Sequence, residues 1–218
     1  IGSGWVQAVT GNSASIGAGS GFRFGGELDS VRIYKGRITQ AQVEQDFTAA
    51  RAPAVDCPAY PPTLLSQFSF NEAGWEVLGK VKNSVDGGAD GVFQNFHIGN
   101  RRPEKITDPA RLSGKIDTCA AASIRSGGQL ASSSAQIDTT LRGRNSVSFW
   151  MYWDGAAWQT PFQFKNSYML QTFNAHLGFS AYQDEFRLPD SSSLAVGWHH
   201  IAAVFVNGYL FGNKLWID

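Results

Sequence analysis

Two carboxylates stand two residues apart in Glu27-Leu28-Asp29, so a strand would carry both on one face. Glycoside hydrolysis needs two carboxylates flanking one bond, and a common arrangement sets them on a strand as E-x-D-x-x-E. Here the third acid is absent and position 32 is Arg. Asp184-Glu185 are adjacent and would face oppositely on a strand, and Asp154 stands alone. His199-His200 likewise point to opposite faces and cannot share one metal. His97 and His176 have no Cys or Glu at ligand spacing, so neither a zinc site nor a nucleophilic triad emerges. What remains is recognition chemistry. Asp154-Gly155-Ala156-Ala157-Trp158 reads as a loop carrying a large ring, and a loop Trp is harder to explain as core than a strand Trp. Trp158, Trp153, Asp154, Tyr168, Phe173 and Tyr182, with Gln159, Gln171 and Asn174 nearby, form a candidate set for a shallow sugar site.

The elements that must hold these residues are short β-branched and aromatic runs bounded by Gly, Asn, Asp and Ser. Strands are predicted at 5–10, 13–17, 22–25, 28–34, 64–70, 77–81, 91–96, 112–119, 128–131, 134–137, 145–153, 161–164, 168–173, 176–182, 185–189, 198–206 and 214–218. In 145–153, Val147, Phe149, Met151 and Trp153 alternate with Ser146, Ser148, Trp150 and Tyr152. Rings on both faces of its end mark it as a central strand. One helix is predicted: Thr39 and Gln42 form a T-x-x-Q capping box, and Ala41, Val43 and Phe47 supply an apolar side. Residues 48–63 read as a linker, with Pro53, Pro58, Pro61 and Pro62 opposing helix or central strand. Residues 100–108 read as a loop. Many short strands with one helix are the pattern of two packed antiparallel sheets.

Composition agrees. The chain has 218 residues, long enough to bury a core without metal or disulfide staples. Eighteen basic side chains balance eighteen acidic ones. That neutrality removes the electrostatic reason to expect nucleic acid or an anionic membrane as partner. No apolar run approaches a membrane span. The start Ile1-Gly2-Ser3-Gly4 carries neither Met nor a signal peptide, which reads as a fragment or processed form. Cys57 and Cys119 are read as a disulfide between neighbouring strands, which would imply an oxidising compartment; two buried free thiols are the alternative.

Several stretches together resemble the laminin-G-like (LamG, concanavalin A-like) family. Leu64-Leu65-Ser66-Gln67-Phe68-Ser69-Phe70-Asn71-Glu72-Ala73-Gly74 resembles its opening strand, and Asn83-Ser84-Val85-Asp86-Gly87-Gly88-Ala89-Asp90-Gly91 the turn that follows. Ser146-Val147-Ser148-Phe149-Trp150-Met151, Trp198-His199-His200-Ile201-Ala202 and Lys214-Leu215-Trp216-Ile217-Asp218 resemble its later strands. Gly26-Glu27-Leu28-Asp29-Ser30-Val31-Arg32-Ile33-Tyr34 resembles its closing strand, yet lies near the start of this chain. The stretch Asp56-Cys57-Pro58 before the opening strand also resembles LamG-like modules of MSHA-type pilus biogenesis proteins of Gram-negative bacteria.

The resemblance implies an all-β, two-sheet antiparallel jelly-roll sandwich with one short helix. Its rotated order implies that 1–47 supply the closing strands and helix of 64–218, within one chain or by strand exchange between two copies. A cut through tandem modules is the other reading. A sandwich lacking those strands would expose long unpaired edges, which favours a closed unit over 1–218. Residues 28–34 are then expected beside 64–70. The family also implies a structural Ca²⁺ held by Asp29 with Asn71 or Glu72, although Asn71 stands where an Asp is usual. As function it implies a non-catalytic recognition or adhesion module, binding glycan or another surface protein. The location would be secreted, cell-surface or bacterial envelope, without direct membrane insertion. A structural spacer, and behind it a glycoside hydrolase, are the competing roles.

Overall fold

The structure, a computed structural model, describes residues 14–16, 18–19, 22–24, 26–49, 63–94, 103–114, 120–124, 128–132, 137–164, 168–181, 184–186, 193–208 and 212–218. Two antiparallel sheets dominate it. The first runs, edge to edge, β15 (Asp184–Phe186), β14 (His176–Ala181), β13 (Met169–Phe173), β12 (Phe162–Phe164), β1 (Ala14–Ile16), β10 (Gln129–Ser132), β7 (Gly91–Gln94) and β6 (Lys80–Val81). The second runs β17 (Lys214–Ile217), β16 (Gly197–Val206), β11 (Arg144–Trp153), β4 (Glu27–Lys35), β9 (Ala121–Ser123) and β8 (Glu104–Ile106). In it β5 (Thr63–Phe68) shares the free edge of β4 with β9. A small hairpin joins β2 (Ala18–Gly19) to β3 (Phe22–Arg23). No described helix is long and apolar enough to cross a membrane.

The sheets share one core because their strands alternate. Val147, Phe149, Met151 and Trp153 of β11 and Ile201, Ala203 and Phe205 of β16 all point into it. Phe205 meets Phe162, Phe164, Tyr168 and Phe179 of the first sheet at ring-centroid distances of 6.0, 5.3, 5.7 and 5.1 Å. Rings at these separations contribute beyond the area they bury.

The early strand β4 is paired on both edges. Val31↔Phe68 and Arg32↔Gln67 join it to β5, and Ser146↔Tyr34 and Val147↔Ile33 join it to β11. The expected neighbour of 28–34 is therefore present. Strict alternation would set Asp29 with Val31 and Ile33. Instead the register to β11 shifts between Ser148 and Trp150, and Ser30 takes φ 49°. This bulge sends Leu28, not Asp29, into the core with Val31 and Ile33.

The helix α1 (Gln40–Ala49) starts where the capping box placed it: Thr39 N–H donates to Gln42 Oε1 (2.7 Å) and Gln42 N–H to Thr39 Oγ1 (3.3 Å). It lies on the outer face of the second sheet through Val43, Asp46 and Phe47. Ala41, expected on its apolar side, is exposed. Three local readings need correction. The strand expected at 77–81 is reduced to β6, because Gly74 and Gly79 at φ 84° and 69° bracket a one-turn helix α2 (Trp75–Leu78). The loop expected at 100–108 contains β8. Of the strand expected at 112–119, residues 112–114 form turns instead, and 115–119 lie outside the described residues. Cys57, Cys119, Tyr182, the strand at 5–10 and residues 50–62 of the linker lie outside the described residues.

Candidate functional site

Trp158 is one of the few large apolar side chains on the surface, 42% exposed. It sits in the loop that follows β11, and every turn of that loop is tied down. Asp154 Oδ1 accepts from Ala156 N–H (3.0 Å) and from Gln159 Nε2 (2.9 Å). Trp153 Nε1 donates to the Ala156 carbonyl at 2.9 Å. Trp158 N–H donates to the Thr172 carbonyl and Thr172 N–H to the Gln159 carbonyl, at 2.9 and 2.8 Å. The Trp158 ring meets Phe173 edge-on, centroids 4.2 Å apart. Its backbone sits at φ 60°, where a bulky L-residue is strained. Strain of this kind persists only where surrounding contacts over-determine it.

Two further loops close around this one. Asn174 and Ala175, at φ 46° and 63°, make the two-residue turn between β13 and β14. Leu194 N–H donates to the Ala175 carbonyl (2.7 Å), which brings the segment before β16 alongside. Exposed Val196 on that segment reaches Gly155, whose Cβ position lies 3.4 Å from Val196 Cγ2. Trp158, half-buried Phe173 and Val196 thus stand on three loops that meet at one end of the sheets. Gln159 Oε1, Thr160 Oγ1 and Gln171 Nε2, in the same region, are buried without a hydrogen-bond partner. Each such atom leaves about 1–3 kcal/mol of desolvation uncompensated.

A histidine clasp holds the third loop. His199 Nδ1 lies 2.6 Å from Asp218 Oδ2 and Nε2 lies 2.7 Å from the Ala195 carbonyl. Both partners accept, so the ring satisfies both only as imidazolium. The bond from Asp218 raises the His199 pKa against the opposing effect of burial. Burial alone would raise Asp218, but the His199 ring and the His200 N–H hold its carboxyl below the usual value.

The other candidates fare differently. Trp153 and Tyr168 are corrections: both rings are buried in the core, and Tyr168 hydroxyl donates to the Val206 carbonyl at 3.1 Å. A ring enclosed on both faces presents none to a ligand. Asp154 does lie in the Trp158 loop, where its carboxylate shapes the turn. The calcium set does not fit a dication. The Asn71 and Glu72 carbonyls accept from Lys105 Nζ at 2.9 and 2.8 Å, so an ammonium already occupies their oxygens. Glu72 Oε1 takes the Lys82 N–H at 2.9 Å. Asp29 is buried beside the Ser30 hydroxyl (3.2 Å). No group of three or more His, Cys, Asp or Glu among the described residues could hold a metal ion. Glu27 is paired with Arg111.

One constellation escaped the sequence reading. Ser148 Oγ lies 3.0 Å from His200 Nε2, the separation of a nucleophile and its base. Both are buried beneath α1, at 0% and 3% exposure. Asp46 of α1 accepts from Tyr34 hydroxyl at 2.9 Å and faces Arg32 at 3.5 Å, while Phe47 stacks on Trp150. Burial, reinforced by Arg32, pushes His200 down to about 4, so its ring is neutral at neutral pH. The arrangement docks a helix rather than receiving a substrate. Only pairing across β11 and β16 brings Ser148 to His200, and nothing local in sequence signals it.

Compared with known proteins, the chain matches no family model, no curated protein and no solved structure.

Proposed function

We propose that the chain is a LamG-like jelly-roll module of a secreted or surface protein, and that it recognises a glycan or a partner protein through the loops around Trp158 without catalysis. The observation that carries this reading is Trp158 itself: an exposed ring, on a strained backbone, in a loop otherwise fixed by hydrogen bonds. A strained and rigid presentation of apolar surface lowers the entropic cost of binding. Phe173 and Val196 widen the apolar area, and Asp154 and Asn174 rim it with polar groups. The motif resemblance supports the family, and the two antiparallel sheets agree with it at the level of fold class.

The test is a glycan array and a surface-protein panel probed with the wild type and Trp158→Ala. Binding that falls by roughly thirtyfold or more on loss of the ring supports the reading, as truncation of an aromatic anchor costs about 2 kcal/mol or more. Binding that Trp158→Ala leaves intact would place recognition elsewhere. No binding by the wild type to any glycan or protein would leave the spacer role standing.

A further inference from the structure

The span that bears Val196 is built as a joint between two fixed points. Leu194 anchors one end: it is buried in the core, and its N–H donates to the Ala175 carbonyl at 2.7 Å. Gly197 forms the other end, where β16 begins, at φ 145° and with nothing within 4 Å of its Cβ position. Glycine adopts that backbone conformation freely and other residues rarely do, so Gly197 can serve as a hinge. Between the two points Ala195 and Val196 are exposed, and Val196 Cγ2 lies 3.4 Å from the Cβ position of Gly155 in the Trp158 loop. His199 reaches into this span. Its Nε2 lies 2.7 Å from the Ala195 carbonyl, while Asp218 Oδ2 holds Nδ1 at 2.6 Å.

Two acceptors on one ring require two ring protons. A neutral imidazole keeps one N–H and gains one lone pair. The Asp218 carboxylate, an anion, retains the remaining proton on Nδ1. The Nε2 lone pair then faces the lone pairs of the Ala195 carbonyl, and a contact at 2.7 Å turns from attractive to repulsive. The Asp218 bond raises the His199 pKa against the opposing effect of burial. The two-bond clasp is therefore complete below about 6.5, the ordinary histidine value, and is lost as pH rises through the raised one. Among the described residues, the other titratable side chains on the elements around this joint are Asp154 and His176. Asp154 is engaged within the Trp158 loop by Ala156 N–H and Gln159 Nε2, and the His176 backbone bridges Ser193. Strand β11 places Met151 opposite His199.

We propose that His199 is a positioning residue for recognition: charged, it clasps Val196 against the Trp158 loop, and neutral, it lets that span swing on Gly197. Binding at these loops is then favoured in mild acid and weakened on the alkaline side. What is bound rests on the Trp158 reading; the movement of the span does not.

The experiment is NMR of the ¹³C,¹⁵N-labelled chain from about pH 5 to about pH 9, following the His199 ring, the Val196 methyls and the Gly155 amide. All three are expected to move together, with one midpoint above about 6.5. His199→Gln should flatten the Val196 and Gly155 curves. Asp218→Asn keeps an oxygen for His200 N–H while removing the charge, and should lower the midpoint in a folded protein. His176→Gln should leave the midpoint in place. Val196 and Gly155 signals that stay constant over this range, or that titrate unchanged in His199→Gln, would overturn the clasp. The consequence for binding is read on the glycan array and surface-protein panel at about pH 6 and about pH 9. Signals that Trp158→Ala abolishes should weaken about threefold or more at the higher pH, because only the clasped fraction is competent to bind. His199→Gln should show no such difference. Equal wild-type signals at the two pH values would overturn the gating and leave the Trp158 reading intact. A panel without any binder would overturn the Trp158 reading and the gating with it, and the NMR curves would still decide the clasp.

Discussion

At the scale of single residues, Trp158 and His199 tie strain and charge to the same group of loops. Replacing Trp158 by Gly removes the ring contact with Phe173, a loss of about 0.5–1.5 kcal/mol for an aromatic pair. It also relieves a left-handed backbone that costs about 1–2 kcal/mol in an L-residue. The ring is only 42% exposed, so its buried area is lost as well, and Trp158→Gly should lower stability to urea by about 1–3 kcal/mol. A much larger loss would mean that the ring is structural. His199 makes a pH prediction. Folding raises its pKa, so the fold favours its charged form. That contribution is fully present below the ordinary histidine pKa, about 6.5, and is lost as pH rises through the raised value. Asp218 is lowered on folding, so its share is present above the ordinary carboxylate value and lost as pH falls through the lowered one. The stability advantage of the wild type over His199→Gln, measured by thermal melts from about pH 5 to about pH 9, should shrink on the alkaline side. A pH-independent difference would show that the clasp does not titrate as drawn. That Trp158 lies in a loop was legible in sequence, because Asp154-Gly155 ends the strand pattern of 145–153. Val196 and the clasp were not, since their meaning lies in which loops the sheets bring together.

At the scale of elements, α1 rests on an unusual base for a surface helix. Beside Val43 and Phe47, its buried face holds Asp46, 1% exposed, against Arg32, Tyr34 and Ser148. Burial raises the Asp46 pKa, and Arg32, Tyr34 and Ser148 offset only part of that rise. The carboxylate is thus an expensive anchor whose removal is worse than its presence, because Arg32 would be left buried and unpaired. Asp46→Ala should cost about 3–5 kcal/mol in urea unfolding. Asp46→Asn should cost less, as it keeps an acceptor for Tyr34 hydroxyl and sheds a charge that burial disfavours. Equal losses for the two, or losses below about 1 kcal/mol, would show that Val43 and Phe47 alone hold the helix. The capping box made the existence and start of α1 readable, because its two bonds are local. Its buried face was misread, since Ala41 faces water and Asp46 faces the sheet. A charged residue at a core-facing helix position can be recognised only once its partner on another element is known. The bulge at Asp29-Ser30 is a similar case: alternation called for Asp29 beside Val31, and one residue with positive φ reversed it.

At the scale of the whole molecule, the early part of the chain is woven into both sheets. β1 sits between β10 and β12, with Ala14↔Ser132 on one side and Ala14↔Phe164 on the other. β4 sits between β11 and the β5–β9 edge. Removing 1–47 would therefore cut a strand from the interior of each sheet rather than trim an edge. Core residues Ala14, Ile16, Leu28, Val31 and Ile33 would go with them. The exposed strand edges on either side of each gap would template aggregation. We expect a chain starting at residue 63 to be insoluble or molten when produced alone. Co-expression with residues 1–49 as a separate chain should recover a soluble complex, because the cut falls where only non-local pairing must be restored. Folding of the intact chain should be slow, on the order of milliseconds to seconds, since pairs such as Ile16↔Phe162 close very long loops. A fragment 63–218 that melts cooperatively, with dispersed amide NMR signals and no need for 1–49, would contradict this account. In that case β1 and β4 would be additions to a core that closes without them, and the early segment would be free to belong to another unit.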